Sequence, residues 1–417
     1  MNIYFKKLIN WKIHYCFISE YFINQIYIMD TQRWINEFLV ALADFNSPRL
    51  CELLFSERIH ETSAKKEEIA RVITKILQNG SQESETSYEL WTEFLTEHLM
   101  ARIHKINRFK HMNEAYNRLL KIFRDDGEGF WFLPIIKKYS RFLFNEGVRS
   151  SQLDEVVNSL RKLLSACQVS QPPPESKVMG LYFALILSFK ALFRLNTLQT
   201  CSSLLRLVSS EHSKLPPLRI YPKCQQVEFN YYEGRFSIYD QNIKRAEECL
   251  EFAFNHCHKD NIRNKRIILR YLVPVKVGRG KFPTEALLRK YKLQELGDIL
   301  KCIKTGNIGG YASALDANQD KFIQQGIYIM METLKILAYR NLFLKTYKIL
   351  EKKQISLHYF VTAIKTSGVS EVEIEEVECI LANLIFKKWI KGYISAQKKV
   401  LVLSKNDPFP KVSLIDD

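Results

Sequence analysis

No apolar run in this 417-residue chain crosses a bilayer's width without interruption. The most apolar stretch, Val178 to Leu195, is crossed by Lys190 and Arg194 and holds Gly180 and Ser188, so it reads as a buried helix and no membrane insertion is expected. Cysteine is present nine times, an odd number, without the paired spacings of a disulfide framework or a zinc finger, which points to a reducing compartment. The glycine clusters Gly278-Arg279-Gly280 and Gly306-Asn307-Ile308-Gly309-Gly310 follow no strand and lack the Gly-Lys-Ser/Thr ending that holds a nucleotide, so they read as turns between helices. There is no nucleophile elbow. The paired acids, Glu371 to Glu378, read as a solvated helix face that places negative charge at a helix N-terminus. No catalytic constellation emerges, and neither an enzyme nor a cofactor is expected.

What is present is a large apolar content. At 47% hydrophobic and 12% aromatic residues the chain buries ample surface, and its length exceeds one ordinary core, so two or more modules or one elongated array are expected. Lys and Arg number 61 against 45 Asp and Glu, a formal charge of +16 that favours phosphate backbones, anionic lipid or acidic proteins as partners. Residues 1–28 are aromatic and isoleucine-rich, but Lys12, His14 and Glu20 break any signal-peptide core. They read as an atypical extension ahead of Met29, which is a second candidate initiator.

From Trp34 almost to Leu350 apolar residues recur at helical spacing. The blocks are separated by a loop from Asn79 to Ser87, by Asp125-Asp126-Gly127-Glu128-Gly129, and by the breaks Pro172-Pro173-Pro174 and Pro216-Pro217. The clearest pair starts at Cys224 and turns at Asp240-Gln241-Asn242. Its Gly234, Ala246, Leu250 and Ala253 match the small and apolar positions of a tetratricopeptide hairpin, although Ser237 stands where tyrosine is usual. With no regular 34-residue period, the expectation is a mainly α fold, an irregular TPR-like α-solenoid in which each pair buries its face on the next.

The period changes only near the C-terminus. Phe343, Tyr347 and Leu350 share one face of a helix starting near Leu334, and Leu357, Phe360, Val361 and Ile364 mark a second helix. Ser370 and Glu373 have capping-box spacing for a third, which buries Ile374, Val377, Leu381 and Leu384 and ends near Trp389. Tyr393-Ile394-Ser395 and Val400-Leu401-Val402-Leu403 then form a hairpin around the turn Ala396 to Lys399. Three helices and a hairpin make a winged helix.

Two clusters carry candidate chemistry. His256-Cys257-His258, with Cys249 nearby, is the most metal-like, yet on a helix the two histidines project about 200° apart, so no metal is expected. The basic residues argue better. Lys345, Lys348 and Lys352 lie at i, i+3 and i+7; Lys387, Lys388 and Lys391 close the third helix; Lys398 and Lys399 tip the hairpin. Together they are expected to form a continuous basic surface for sequence-independent, salt-sensitive phosphate contacts. The acidic start of the third helix offers no bidentate pair for guanine, so sequence-specific duplex reading is not expected. A second basic region, Arg263, Lys265, Arg266, Arg270, Lys276, Arg279 and Lys281, extends this surface or receives an acidic peptide.

Longer runs carry a resemblance. Tyr231-Tyr232-Glu233-Gly234-Arg235, Phe252 to His258, Asn264-Lys265-Arg266, Tyr271 to Lys276, Tyr339 to Phe343, Glu378 to Ile385, Lys391 to Ser395 and Asn406-Asp407-Pro408-Phe409-Pro410 resemble the PCI domain-containing protein 2 family. The likeness is strong from about Tyr221 to Pro410 and fainter upstream, where Ile35 to Leu39 and Cys51-Glu52-Leu53 look like the family's start. Val277-Gly278-Arg279-Gly280 is more polar than the family's segment. The resemblance implies a PCI domain, with helical repeats leading into a winged helix. The layout is then an extension at 1–28, N-terminal repeats at 29–215, the repeat part of the PCI domain at 216–333, the winged helix at 334–404 and a tail at 405–417. It also implies a non-enzymatic subunit of the transcription-coupled mRNA export complex, in the nucleus at the nuclear pore and also in the cytoplasm. There it forms a hetero-oligomer with a GANP-type scaffold and a small acidic Dss/Sem-type protein, contacting RNA and DNA non-specifically. The competing expectation is a purely structural PCI subunit of a proteasome-lid or signalosome-like assembly.

Overall fold

The computed structural model describes residues 24–55, 69–71, 73–74, 85–104, 106–126, 129–168, 175–209 and 216–415. The expected breaks at Asn79 and at Pro172-Pro173-Pro174 lie outside them, as do the first 23 residues. The fold is mainly α, stacked helices followed by a small three-stranded sheet. The chain divides into two compact units, 1–229 and 230–417, with the division inside one helix, Lys223–Tyr239.

The first unit contains α1 (Asn24–Ala43), α2 (Ser47–Phe55), α3 (Glu85–Ile103), α4 (Arg108–Asp125), α5 (Leu133–Arg149), α6 (Leu153–Gln168), α7 (Leu181–Leu195) and α8 (Gln199–Ser209). The first helix begins ahead of Met29, and α3 begins at Glu85, so Glu85, Thr86 and Ser87, read as loop, belong to its first turn. In α4, Phe109, Met112, Tyr116, Leu119 and Phe123 fall at alternating spacings of three and four and are all buried, the stripe by which an amphipathic helix packs. The core is aromatic: Tyr116 stacks on Tyr139, and the Tyr116 hydroxyl lies 2.7 Å from Ser140 Oγ. The apolar stretch read as a buried helix is α7, packed inside this unit, with Lys190 and Arg194 both over the Phe144 ring.

Helix α9 (Lys223–Tyr239) and α10 (Ile243–His256) form the expected hairpin. The Asn242 side chain accepts from the Arg245 amide, capping α10, and a Cβ on Gly234 would lie 2.7 Å from Leu250 Cγ. Glycine is therefore what lets these two helices approach. Next come α11 (Ile262–Gly278), which carries Pro274 within it, α12 (Glu285–Lys290), α13 (Gly297–Thr305), α14 (Ile308–Asp316), α15 (Gln319–Gln325) and α16 (Tyr328–Thr333). The glycine clusters are turns only in part: Gly280 and Gly306 adopt positive φ, 74° and 68°, just after helices, while Gly278 closes α11 and Ile308, Gly309 and Gly310 open α14.

The C-terminal module is α17 (Lys335–Leu350), β1 (Gln354–Ser356), α18 (Leu357–Thr366), α19 (Ile374–Phe386), β2 (Gly392–Ser395) and β3 (Val400–Leu403). The sheet order is β1-β3-β2, antiparallel throughout, with Ile355 and Ile394 both opposite Leu401. The sequence predicted only the hairpin, because three residues are too few to show a two-residue period. Ile355 and Leu401 are buried against Phe343, Phe360, Ile364, Val377, Leu381 and Leu384, forming one core under the three helices.

Two boundaries differ from expectation. The capping box at Ser370 does not form: α19 starts at Ile374 after Glu373, which makes no side-chain cap. Val372 is buried while Ser370 is exposed, so anchoring the valine keeps this segment out of the helix. The same helix stops at Phe386, and Lys388 takes φ 58° beyond it. The segment after β3 is held down. The buried Arg340 guanidinium donates to the Phe409 and Pro410 carbonyls at 3.2 and 2.5 Å, and Phe409 stacks on Tyr347.

Candidate nucleic-acid interface

The sheet register decides where the lysines stand. Lys398 and Lys399 lie in the β2–β3 turn, and Val400 at that end pairs with Ser356 and Ser395. Lys399 Nζ lies 3.0 Å from Glu378 and 3.5 Å from Glu375 in the first turns of α19. The hydrogen bond to Glu378 raises the Lys399 pKa above its ordinary value. The hairpin tip is thus tethered to the acidic start of α19.

Lys387, Lys388 and Lys391 stand at the opposite end. Gly392 pairs with Leu403, the Leu403 amide donates to the Lys353 carbonyl, and the Ser404 amide donates to the Lys391 carbonyl, both at 2.8 Å. Lys391 and the Lys352-Lys353 dipeptide therefore flank the same end of the sheet. A 13-residue helix spans roughly 20 Å and a four-residue strand roughly 13 Å. The tip lysines do not merge with this cluster, so the continuous surface expected from the sequence is divided in two. Sequence nearness misled because a hairpin returns to where it began only at its open end.

Lys348 and Lys352 are exposed at and just after the C-terminal end of α17, whereas Lys345 is engaged. Its Nζ donates to the Thr305 carbonyl at 2.7 Å, meeting the C-terminal end of α13 where a cation is favoured by the helix dipole. Lys345 also lines an open groove of about 540 Å³ with Gly306, Gly309, Gly310, Ser367 and Gly368. The Gly309 amide donates to the Ser367 carbonyl at 2.9 Å, and a Cβ on Gly309 would lie 2.8 Å from that oxygen. This glycine fixes α14 against the α18–α19 connection.

Aromatic surface accompanies the open-end lysines, a feature the sequence reading missed. Phe386 is 86% exposed, Tyr393 is 63% exposed, and Lys387 lies over the Trp389 ring. Phe386 sits beside Lys387 where α19 stops, so only the true helix end shows that its ring faces solvent. Cations beside exposed rings are the combination that holds single-stranded nucleic acid, by phosphate contact and base stacking.

The second basic region is largely spent internally. Arg279 and Lys281 bind Glu247 at 3.0 and 2.8 Å, and Lys276 binds Glu251 at 2.6 Å. Lys265 donates to the Phe254 carbonyl. Arg263 is exposed, while the Nε atoms of Arg266 and Arg270 are buried without a hydrogen-bond partner. The metal-like cluster also disperses: α10 ends at His256, whose ring stacks on Phe252, Cys257 is buried, and His258 turns to Asp260.

Comparison with known proteins agrees with this architecture. Residues 315–405 match the PCI domain family model. PCI domain-containing protein 2 of Xenopus laevis is 37% identical over 325 residues, covering 74% of this chain and 80% of that protein. The PCI domain-containing protein 2 homolog of Dictyostelium discoideum is 36% identical, covering 73% of this chain and 74% of its own length. A protein named CSN12 homolog from Neurospora crassa is 33% identical, covering 64% of this chain and 62% of that protein.

Proposed function

The chain belongs to the PCI domain-containing protein 2 family, and we propose that it serves as a non-enzymatic PCI scaffold subunit of the transcription-coupled mRNA export complex at the nuclear pore. In this reading it assembles with a GANP-type scaffold and a small acidic Dss/Sem-type protein, and its winged helix adds a sequence-independent contact to RNA. The observation that carries the nucleic-acid part is the open end of the sheet. There Lys352, Lys387, Lys388 and Lys391 are exposed beside Phe386 and Tyr393, while the acids of α19 are gathered at the other end. Lys387, Lys388 and Lys391 make no ion pair with a described carboxylate, which leaves their charge available to phosphates.

The test is reconstitution with the two partner types and titration of single-stranded RNA over a range of salt. Affinity that falls steeply with salt and drops on reversing Lys387, Lys388 and Lys391 to Glu supports this reading. Affinity indifferent to that reversal favours a structural subunit of a lid- or signalosome-like assembly. That second reading has its own support: β2 is an outer strand of the sheet, free on one side to receive a neighbouring module's strand.

A further inference from the structure

Helices α5 and α7 of the first unit carry cations that the chain leaves without acids. On α5, Lys137, Arg141 and Phe144 fall at i, i+4 and i+7, and on α7, Phe183, Lys190 and Arg194 fall at i, i+7 and i+11, one face of each helix. The two faces meet. The Arg141 guanidinium lies 5.1 Å from the Phe183 ring centroid, while Lys190 and Arg194 lie 5.2 and 5.1 Å from that of Phe144. Partners advance in the same direction along both helices, which therefore lie side by side and parallel. Both rings are buried, so three of the cations are held over apolar surface. Arg141 and Arg194 are exposed, and Lys137 and Lys190 are half-buried. Neither helix can neutralise them: α7 contains no Asp or Glu, and the one acid of α5, Glu146, is taken by Arg108 and Arg149. None of the four cations makes an ion pair or a side-chain hydrogen bond with a described residue. Lys190 and Arg194 share one ring, so their like charges stand at most roughly 10 Å apart and repel. Burial lowers the Lys137 pKa, and the Arg141 charge one turn on adds to this. The acid that feels them is Glu228 on α9, whose pKa burial raises against the pull of Lys190 and Arg141. One carboxylate leaves four cations in excess.

We propose that Lys137, Arg141, Lys190 and Arg194 form a second nucleic-acid contact, on the repeats, that binds the phosphodiester backbone by charge alone. It rests on the RNA reading only for the class of ligand. An acidic peptide fits less well, because the backbone of α5 and α7 is paired within the helices and both rings are covered, leaving neither a strand edge nor an apolar pocket to hold a peptide. A phosphodiester chain needs neither, since it carries a full charge at every residue. Four helical residues rise about 6 Å and neighbouring helices lie about 8–10 Å apart, so the four cations span roughly two or three phosphates. Phe144 and Phe183 are buried beneath the cations, so no base stacks here, in contrast to the exposed Phe386 and Tyr393. Single strands and duplexes are therefore held alike.

The experiment titrates the full chain, reconstituted as above, with single-stranded RNA, with duplex DNA and with poly-glutamate over a range of salt. Arg141→Glu with Arg194→Glu should weaken both nucleic acids about tenfold and lower the salt slope by about 1.4 for the single strand and about 1.8 for the duplex, two contacts each. Arg141→Lys with Arg194→Lys should bind like the parent, because only charge is read. Reversal of Lys110 and Lys121, exposed lysines of α4, measures the effect of net charge and should change affinity less than about threefold. Melting is followed in parallel, and if the reversal to Glu lowers the melting temperature, Arg141→Gln with Arg194→Gln takes its place with the same loss of slope expected. A loss no greater than that at Lys110 and Lys121, or a reversal that removes poly-glutamate binding and leaves nucleic acid untouched, overturns the proposal. A parent that binds neither nucleic acid overturns it together with the wing. The wing is otherwise scored separately: reversing Lys387, Lys388 and Lys391 should weaken the single strand more than the duplex, so either site can fail while the other stands.

Discussion

The repeat helices and the winged helix both carry runs of basic residues, and the two runs meet opposite fates. Along α11 and the turn after it the chain supplies its own counter-ions: Glu247 takes Arg279 and Lys281, and Glu251 takes Lys276. Around the end of α19, Lys387, Lys388 and Lys391 make no ion pair with a described carboxylate, while the acids at the start of that helix hold Lys399. Equal charge in the sequence thus becomes internal glue in one region and free potential in the other. The first unit adds a third case, a buried base with no acid. His98 is stacked by Trp34 and Phe94, and burial pushes its pKa down to about 3, so it stays neutral.

The largest effect is expected at that third case. Unfolded, His98 takes a proton near pH 6.5, whereas folded it resists until about pH 3. Between those values the unfolded chain binds more protons, so stability is complete above pH 6.5 and falls as pH drops toward 3. The loss reaches roughly 3–5 kcal/mol at about 1.4 kcal/mol per pKa unit. Melting of His98→Phe against the parent over this range should show a shallower acid slope, and equal slopes would break the contrast.

Next in size is the triple reversal of Lys387, Lys388 and Lys391 to Glu. It should weaken single-stranded RNA binding about a hundredfold and cut the salt slope by about two, from roughly 0.7 per phosphate contact. Fluorescence anisotropy measures both.

Gly309→Ala presses a methyl group onto the Ser367 and Gly368 carbonyls, at 2.8 and 2.9 Å, and should cost about 1–3 kcal/mol in a denaturant melt. Because it loosens the seat of the winged helix and not its lysines, the salt slope should persist. Glu247→Gln should destabilise by about 1–2 kcal/mol, discounted because Lys281 is half exposed, and should leave RNA affinity alone. A fall in affinity there would mean that α11 is also part of the interface. The smallest effect is expected at the wing tip, where Lys398→Ser with Lys399→Ser should change affinity less than about threefold, since Lys399 is already held by Glu378.

Parts of the molecule were readable residue by residue. The α9–α10 hairpin followed from Gly234, Ala246, Leu250 and Ala253, and the β2–β3 hairpin from alternation on either side of a polar turn. The same local logic failed at β1, which exists only because β3 pairs with it, and at Ser370, where capping-box spacing forms no cap and Val372 is buried ahead of a helix that starts at Ile374. The candidate interface was half legible. All eight lysines were visible as charges, but Lys345 belongs to the end of α13 and Lys399 to α19.

Sequence alone determined the helical class, the switch to a sheet near the C-terminus and the total of positive charge, because periodicity and composition are local properties that survive any arrangement of the elements. Tertiary structure alone decided which cations are neutralised and which ring faces solvent. An ion pair forms wherever folding brings a carboxylate within about 4 Å, and the chain distance between the partners, 34 residues for Lys281 and Glu247, carries no trace of that proximity.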